Sequence, residues 1–147
     1  MSSPEAEGSS PGAVRPAVPA VIVTHGGLGE ALVRAAEAIV GPIDGLQVLS
    51  NTGLSRDTLA GAVAERVRGW GPEGGLVLVD LLGGSCAQAA LLGAARAARG
   101  PVPVLCGVNL PMLLDYVHNR DRVRTGELAE RLVARGRSAV TRLEQPD

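Results

Sequence analysis

The hydrophobic pattern of this chain switches repeatedly between short continuous runs and helical spacing. Apolar runs stand at Pro19–Val23, Leu46–Leu49, Gly75–Val79 and Val102–Cys106. Each is short and β-branched or leucine-rich, which reads as a strand. Gly75–Val79 is apolar on both faces, as a central parallel strand must be. Between the runs the period changes. Leu32, Val33, Ala36, Ile39 and Val40 fall on one face of a helix over Gly29–Val40, which Gly41-Pro42 ends. Ser55 is placed to cap a second helix carrying Leu59, Val63 and Val67 as far as Gly69, with Thr58 where a capping box would have Glu. Ser85 is placed to cap a third, running to about Arg99, and Asn109 a short fourth with Pro111 in its first turn. Thr125 opens a last helix with Leu128, Leu132 and Val133 inward and Gly136 as its stop. Ala139–Leu143 fits either more helix or a final strand.

Strands alternating with helices predict an α/β domain: a single open, mainly parallel sheet flanked by helices, with right-handed crossovers. A last antiparallel edge strand is open at Ala139–Leu143. Residues 1–17 are Ser, Pro, Gly, Glu and Ala with almost no large apolar side chain, so a disordered tail is expected there and the folded domain over 18–147.

Composition narrows the function. At 147 residues the chain fits one domain. With no Phe, one Trp and one Tyr, its core has to be aliphatic. A net charge of −1 leaves no basic footprint for nucleic acid. Every basic side chain is Arg and none is Lys. No run of about 18 apolar residues is present to span a membrane. The amino terminus lacks a basic region followed by an apolar stretch, so a cytoplasmic protein is expected. The two cysteines, Cys86 and Cys106, match no zinc or CxxC spacing and read as packing residues.

Chemistry gathers at the strand ends. They present Thr24-His25-Gly26-Gly27, Ser50-Asn51-Thr52-Gly53, Asp80 with Gly83-Gly84-Ser85, and Gly107-Val108-Asn109. Ligands of open α/β sheets sit at this edge, where helix amino termini favour an anion such as phosphate. A phosphate-cradling Walker loop needs a Lys that the chain lacks. The dinucleotide fingerprint fails because Leu32 stands in the third-glycine place, and a serine-hydrolase elbow fails because Gly83-Gly84-Ser85-Cys86-Ala87 lacks its last glycine. His25 and Asp80 are only two metal ligands, with His118 elsewhere on a helical segment, so no metal site and no cofactor is expected. What remains is His25 as a nucleophile for a phosphoryl group. A carboxylate on one ring nitrogen fixes the tautomer, the other nitrogen attacks, and glycine amides hold the phosphoryl oxygens. Thr24 and Ser85 offer hydroxyl donors.

On these residues the chain resembles the EIIA domain of the mannose-type sugar phosphotransferase system over about residues 18–145. The carriers are Thr24-His25-Gly26, Val79-Asp80-Leu81-Leu82-Gly83-Gly84-Ser85 and Gly107-Val108-Asn109-Leu110-Pro111-Met112-Leu113-Leu114. The resemblance implies that His25 accepts phosphate from the phosphocarrier HPr and passes it to an EIIB domain for sugar uptake, with Asp80 supporting the histidine. The strand-end chemistry gives a phosphate cradle of Thr24, Gly26, Gly83, Gly84 and Ser85, and the resemblance implies contact with a membrane only through the transporter. It also implies a homodimer joined by a last strand, which favours strand at Ala139–Leu143. The chain departs from the family at Leu82, where relatives often have an aromatic, and at Cys86, often Pro; it also ends at Asp147 without the EIIB domain often fused there. A regulatory domain that signals by phosphorylation-dependent contact is the other reading.

Overall fold

The computed structural model describes residues 15–147. Most of the tail expected over residues 1–17 therefore lies outside the described residues. Of the remainder, the Arg15 N–H donates to the Asp121 carbonyl at 2.7 Å.

Four strands and five helices lie among the described residues, alternating until the last two helices, which are consecutive. They are β1 (Ala20–Thr24), α1 (Leu28–Val40), β2 (Leu46–Ser50), α2 (Arg56–Arg68), β3 (Leu76–Val79), α3 (Ser85–Ala97), β4 (Val104–Cys106), α4 (Leu110–Asn119) and α5 (Thr125–Ser138). The sheet order is β2-β1-β3-β4, with every pair parallel. The chain thus winds outward from β1 in one direction to β2 and in the other to β3 and β4. The gap between the ends of β1 and β3 is the switch point at which such sheets open a crevice for ligands.

Strand alternation builds two cores. Ala20 and Ile22 of β1 join Leu76 and Leu78 of β3 on the face covered by α1, α4 and α5. Val21, Val23, Val77 and Val79 point the other way, against Leu59, Ala60 and Val63 of α2 and Ala87, Ala89 and Ala90 of α3. Both faces of β1 and β3 are buried, so their apolar runs are uninterrupted. The second core is thin because its helices meet through small residues. A Cβ on Gly93 of α3 would stand 2.5 Å from the Ala60 carbonyl oxygen of α2. Tyr116, the one tyrosine, is fully buried and donates its hydroxyl to the Val18 carbonyl at 2.7 Å. Burial pushes its phenol above the ordinary range, against the smaller opposing pull of Arg120.

The elements agree with the sequence pattern within one or two residues, apart from three details. Ser85 is the first residue of α3, and Gly84 holds the cap position. Consecutive left-handed turns at Gly83 (φ 83°) and Gly84 (φ 87°) bring the chain into helical geometry one residue early. Gly136 does not stop α5, which continues to Ser138. Its missing side chain instead admits α4: a Cβ there would stand 3.0 Å from the Met112 methyl. Finally, residues 140–147 form neither helix nor strand, so the described sheet is wholly parallel. Val140 and Leu143 stand 84% and 87% exposed, with no neighbouring strand to hold them.

Candidate functional site

The carboxyl ends of β1 and β3 bring His25 and Asp80 together across 55 positions of sequence. Asp80 grips the histidine twice. Its Oδ2 accepts the His25 backbone N–H at 3.0 Å, and the ring Nδ1 lies 3.0 Å from Oδ2 and 3.2 Å from Oδ1. An ionised carboxylate only accepts, so in the neutral ring Nδ1 carries the proton and Nε2 keeps its lone pair. Nε2 has no hydrogen-bond partner among the described residues. The imidazole is 41% exposed while the Asp80 side chain is 9% exposed. The carboxylate is thus the sheltered anchor and the ring the solvent-facing group.

Next to this pair the backbone is arranged for an anion. Of the helices that start at this edge, α2 is capped by Ser55, whose Oγ accepts the Thr58 N–H at 3.1 Å. Helix α4 is capped by Asn109, whose Oδ1 accepts the Met112 N–H at 3.0 Å. No side chain caps α3, which begins five residues after Asp80. Its first N–H groups have no partner within the helix and carry the positive end of its dipole. Gly83, Gly84 and Ser85 are exposed, and a Cβ on either glycine would meet nothing within 4 Å. The glycines are therefore required for their left-handed turns, and the space in front of them is open. Gly26 (φ 55°) is open in the same way on the β1 side.

Thr24 does not belong to that surface. Its side chain is fully buried, and its Oγ1 accepts the Gly29 N–H at 2.8 Å. The hydroxyl expected to face a phosphoryl group instead fastens the first turn of α1 to the end of β1. Gly29 allows this close approach, since a Cβ there would stand 2.8 Å from Val48 Cγ1 and 3.0 Å from Thr24 Oγ1.

Two residues join the site that the sequence reading left out of it. Asn51 follows β2, and its Oδ1 accepts the Gly26 N–H at 3.2 Å, which shapes the loop that carries His25. Its position just past a strand end next to β1 was the available signal. Cys86 is the other: a histidine nitrogen of His25, a carboxylate oxygen of Asp80 and the Cys86 sulfur all lie within 4.8 Å of one another. Burial, and then the Asp80 charge, push the Cys86 thiol above its ordinary pKa, and the same two causes raise Cys106. His118 sits on α4, away from the strand ends.

Comparison with known proteins agrees with this fold. No curated protein matches the chain significantly. Solved structures do. EIIA of the phosphotransferase system from Streptococcus agalactiae superposes with a TM-score of 0.78 at 23% identity, over 85% of this chain and 96% of that one. The mannose/sorbose-specific IIA subunit from Enterococcus faecalis gives 0.70 at 28% identity, over 89% and 98%. A sigma-54 interaction domain protein from Enterococcus faecalis shares the fold at 0.71 and 12% identity, over 84% and 93%. No helix of the described residues is long and apolar enough to cross a membrane. The sequence profile of the EIIA-man family, described as the PTS system fructose IIA component, matches residues 20–133, and the chain belongs to that family.

Proposed function

We propose that this protein is a phosphocarrier: His25 takes a phosphoryl group from phospho-HPr and hands it to an EIIB domain. The observation that carries the reading is the hydrogen bond between Nδ1 and Asp80, which leaves Nε2 deprotonated at the sheet's switch point. Nε2 attacks phosphorus, the new N–P bond forms, and the bond to the donor's leaving group breaks. Positive charge grows on the ring as this happens. The Asp80 carboxylate, 3.0 Å from Nδ1, is already in place to balance it. The backbone N–H groups at Gly83, Gly84 and Ser85, with the exposed Ser85 hydroxyl, receive the phosphoryl oxygens; Gly26 lines the opposite side. The reverse sequence delivers the group to the acceptor. Such a site needs little beyond the imidazole, because both donor and acceptor bring their own reactive groups. Exposed Leu81 and Leu82, beside the site, suit contact with proteins.

The proposed working form is a homodimer. Strand β4 is an edge strand with one side unpaired. A groove of about 480 Å³ beside it is lined by Val104, Cys106, Met112, Val133 and Val140 among others. Segment 139–143 of a second copy, with its exposed Val140 and Leu143, matches that groove in character. Pairing there would supply the strand that the chain alone does not form.

The test is incubation with phosphoenolpyruvate, enzyme I and HPr, read by intact mass for an acid-labile phosphate. One phosphate on the wild type and none on His25→Ala, with both melting alike, is the expected result. No label on the wild type, beside a working EIIA control, removes the phosphocarrier reading and leaves the regulatory one.

A further inference from the structure

We propose that His25, Asp80 and Cys86 form a binding site for one zinc-class divalent cation, and that cation and phosphoryl group exclude one another. Three donors of different chemistry converge there, with all ligand atoms within 4.8 Å of one another. Imidazole, carboxylate and thiolate are the ligand types that zinc accepts, and three protein ligands with an open fourth position are a recurring zinc arrangement. A hard cation such as magnesium, which asks for six oxygens, finds one carboxylate and no match.

Structure supplies each ligand by a different route. His25 ends β1, Asp80 follows β3, and Cys86 is the second residue of α3. Asp80 is held by the His25 backbone N–H, and Cys86 by burial in the core between the sheet, α2 and α3. Of the His25–Asp80 pair, the imidazole is the more exposed group, at 41% against 9%. As an ion arrives, the Cys86 thiol releases its proton to solvent and a metal–sulfur bond forms.

Exclusion follows from the tautomer, and it rests on the phosphocarrier reading above. An ion on Nδ1 displaces that nitrogen's proton, and the neutral ring then carries its proton on Nε2, where the attacking lone pair was. An ion on Nε2 occupies the nucleophile directly. Conversely, a phosphoryl group on Nε2 leaves Nδ1 protonated and bonded to Asp80, so neither nitrogen is available to a metal. The same residues thus hold either a cation or a phosphoryl group.

Cobalt(II) is the probe for the test, because a thiolate ligand gives it a near-ultraviolet charge-transfer band. The untagged full chain is titrated with Co²⁺ and then back-titrated with Zn²⁺. We expect the band to saturate at one equivalent and to vanish as zinc displaces cobalt. Cys86→Ala should lose the band and bind more than about tenfold more weakly, since removing even an outer partner of a metal ligand costs about 10–100-fold. Cys106→Ala should keep both. Cys86→Ser, which preserves size, serves if the alanine variant melts early. Absence of the band from the wild type, or its persistence in Cys86→Ala, overturns the site. If the band forms but phosphorylation from HPr runs at the same rate with saturating Zn²⁺, with the donor proteins shown to tolerate the ion, the exclusion is overturned. A band in a protein that never accepts phosphate leaves the site standing while the phosphocarrier reading falls.

Discussion

Replacing Asp80 by Asn separates the charge of the carboxylate from its shape. The amide is nearly isosteric, so the backbone N–H of His25 keeps an acceptor and the strand ends stay together. What is lost is the negative charge 3.0 Å from Nδ1. A hydrogen bond to a charged partner contributes about 1.5–3 kcal/mol. Full unit charges at that separation would interact by roughly 5–6 kcal/mol at an effective dielectric of about 20, which sets a ceiling. The Asp80 side chain is 9% exposed but the imidazole 41%, so solvent screens part of the difference. Only the charge that develops in the transition state counts toward the rate, and the lower range applies. At about 1.4 kcal/mol per factor of ten, transfer from phospho-HPr should slow by roughly 10–150-fold. An amide turned to donate its N–H to Nδ1 would put the proton on Nε2 and slow transfer further. The assay is a quenched-flow time course of protein-bound phosphate, with thermal melting to establish that the fold survives. A variant that transfers at the wild-type rate with an unchanged melt would refute the role given to Asp80.

Three other outcomes test the fold and the thiols. Gly93→Ala should destabilise the protein by about 1–3 kcal/mol, read by denaturant unfolding, because its Cβ would stand 2.5 Å from the Ala60 carbonyl oxygen, which is backbone and cannot swing away. Tyr116→Phe should lower stability by about 0.5–1.5 kcal/mol in the same assay, through loss of the 2.7 Å bond to the Val18 carbonyl. Cys86, buried and raised in pKa, should resist iodoacetamide in the native state, with alkylation appearing only at higher pH than for a free cysteine; peptide mapping across a pH series reads this, and fast modification at neutral pH would contradict it.

Much of this protein follows from its order of residues. Short apolar runs separated by helical spacing dictate strands and helices whatever the final packing, because the periods of two and 3.6 decide which faces can be buried. The uninterrupted apolar run of β3 already required helices on both sides of the sheet. The sequence also placed His25 and Asp80 at strand ends, since parallel strands bring all their carboxyl ends to one edge. Caps were legible at Ser55 and Asn109, where the side chain acts within three residues.

Tertiary structure decided what depends on distance through space. Sheet order is not written in local pattern, yet it is the pairing of β1 with β3 that puts His25 Nδ1 against Asp80 and makes the gap between them a crevice. Thr24 looked like part of the phosphate cradle, but strand alternation turns it onto the Ile22 face and the close approach of α1 at Gly29 buries its hydroxyl. Ser85 looked like a cap, but two left-handed glycines start the helix before it. Cys86 read as packing because its distance to His25 and Asp80 exists only once α3 folds back on the sheet. Segment 139–143 stays undecided by local pattern for the same physical reason: a strand's backbone hydrogen bonds come from a neighbour, and the chain alone supplies none there.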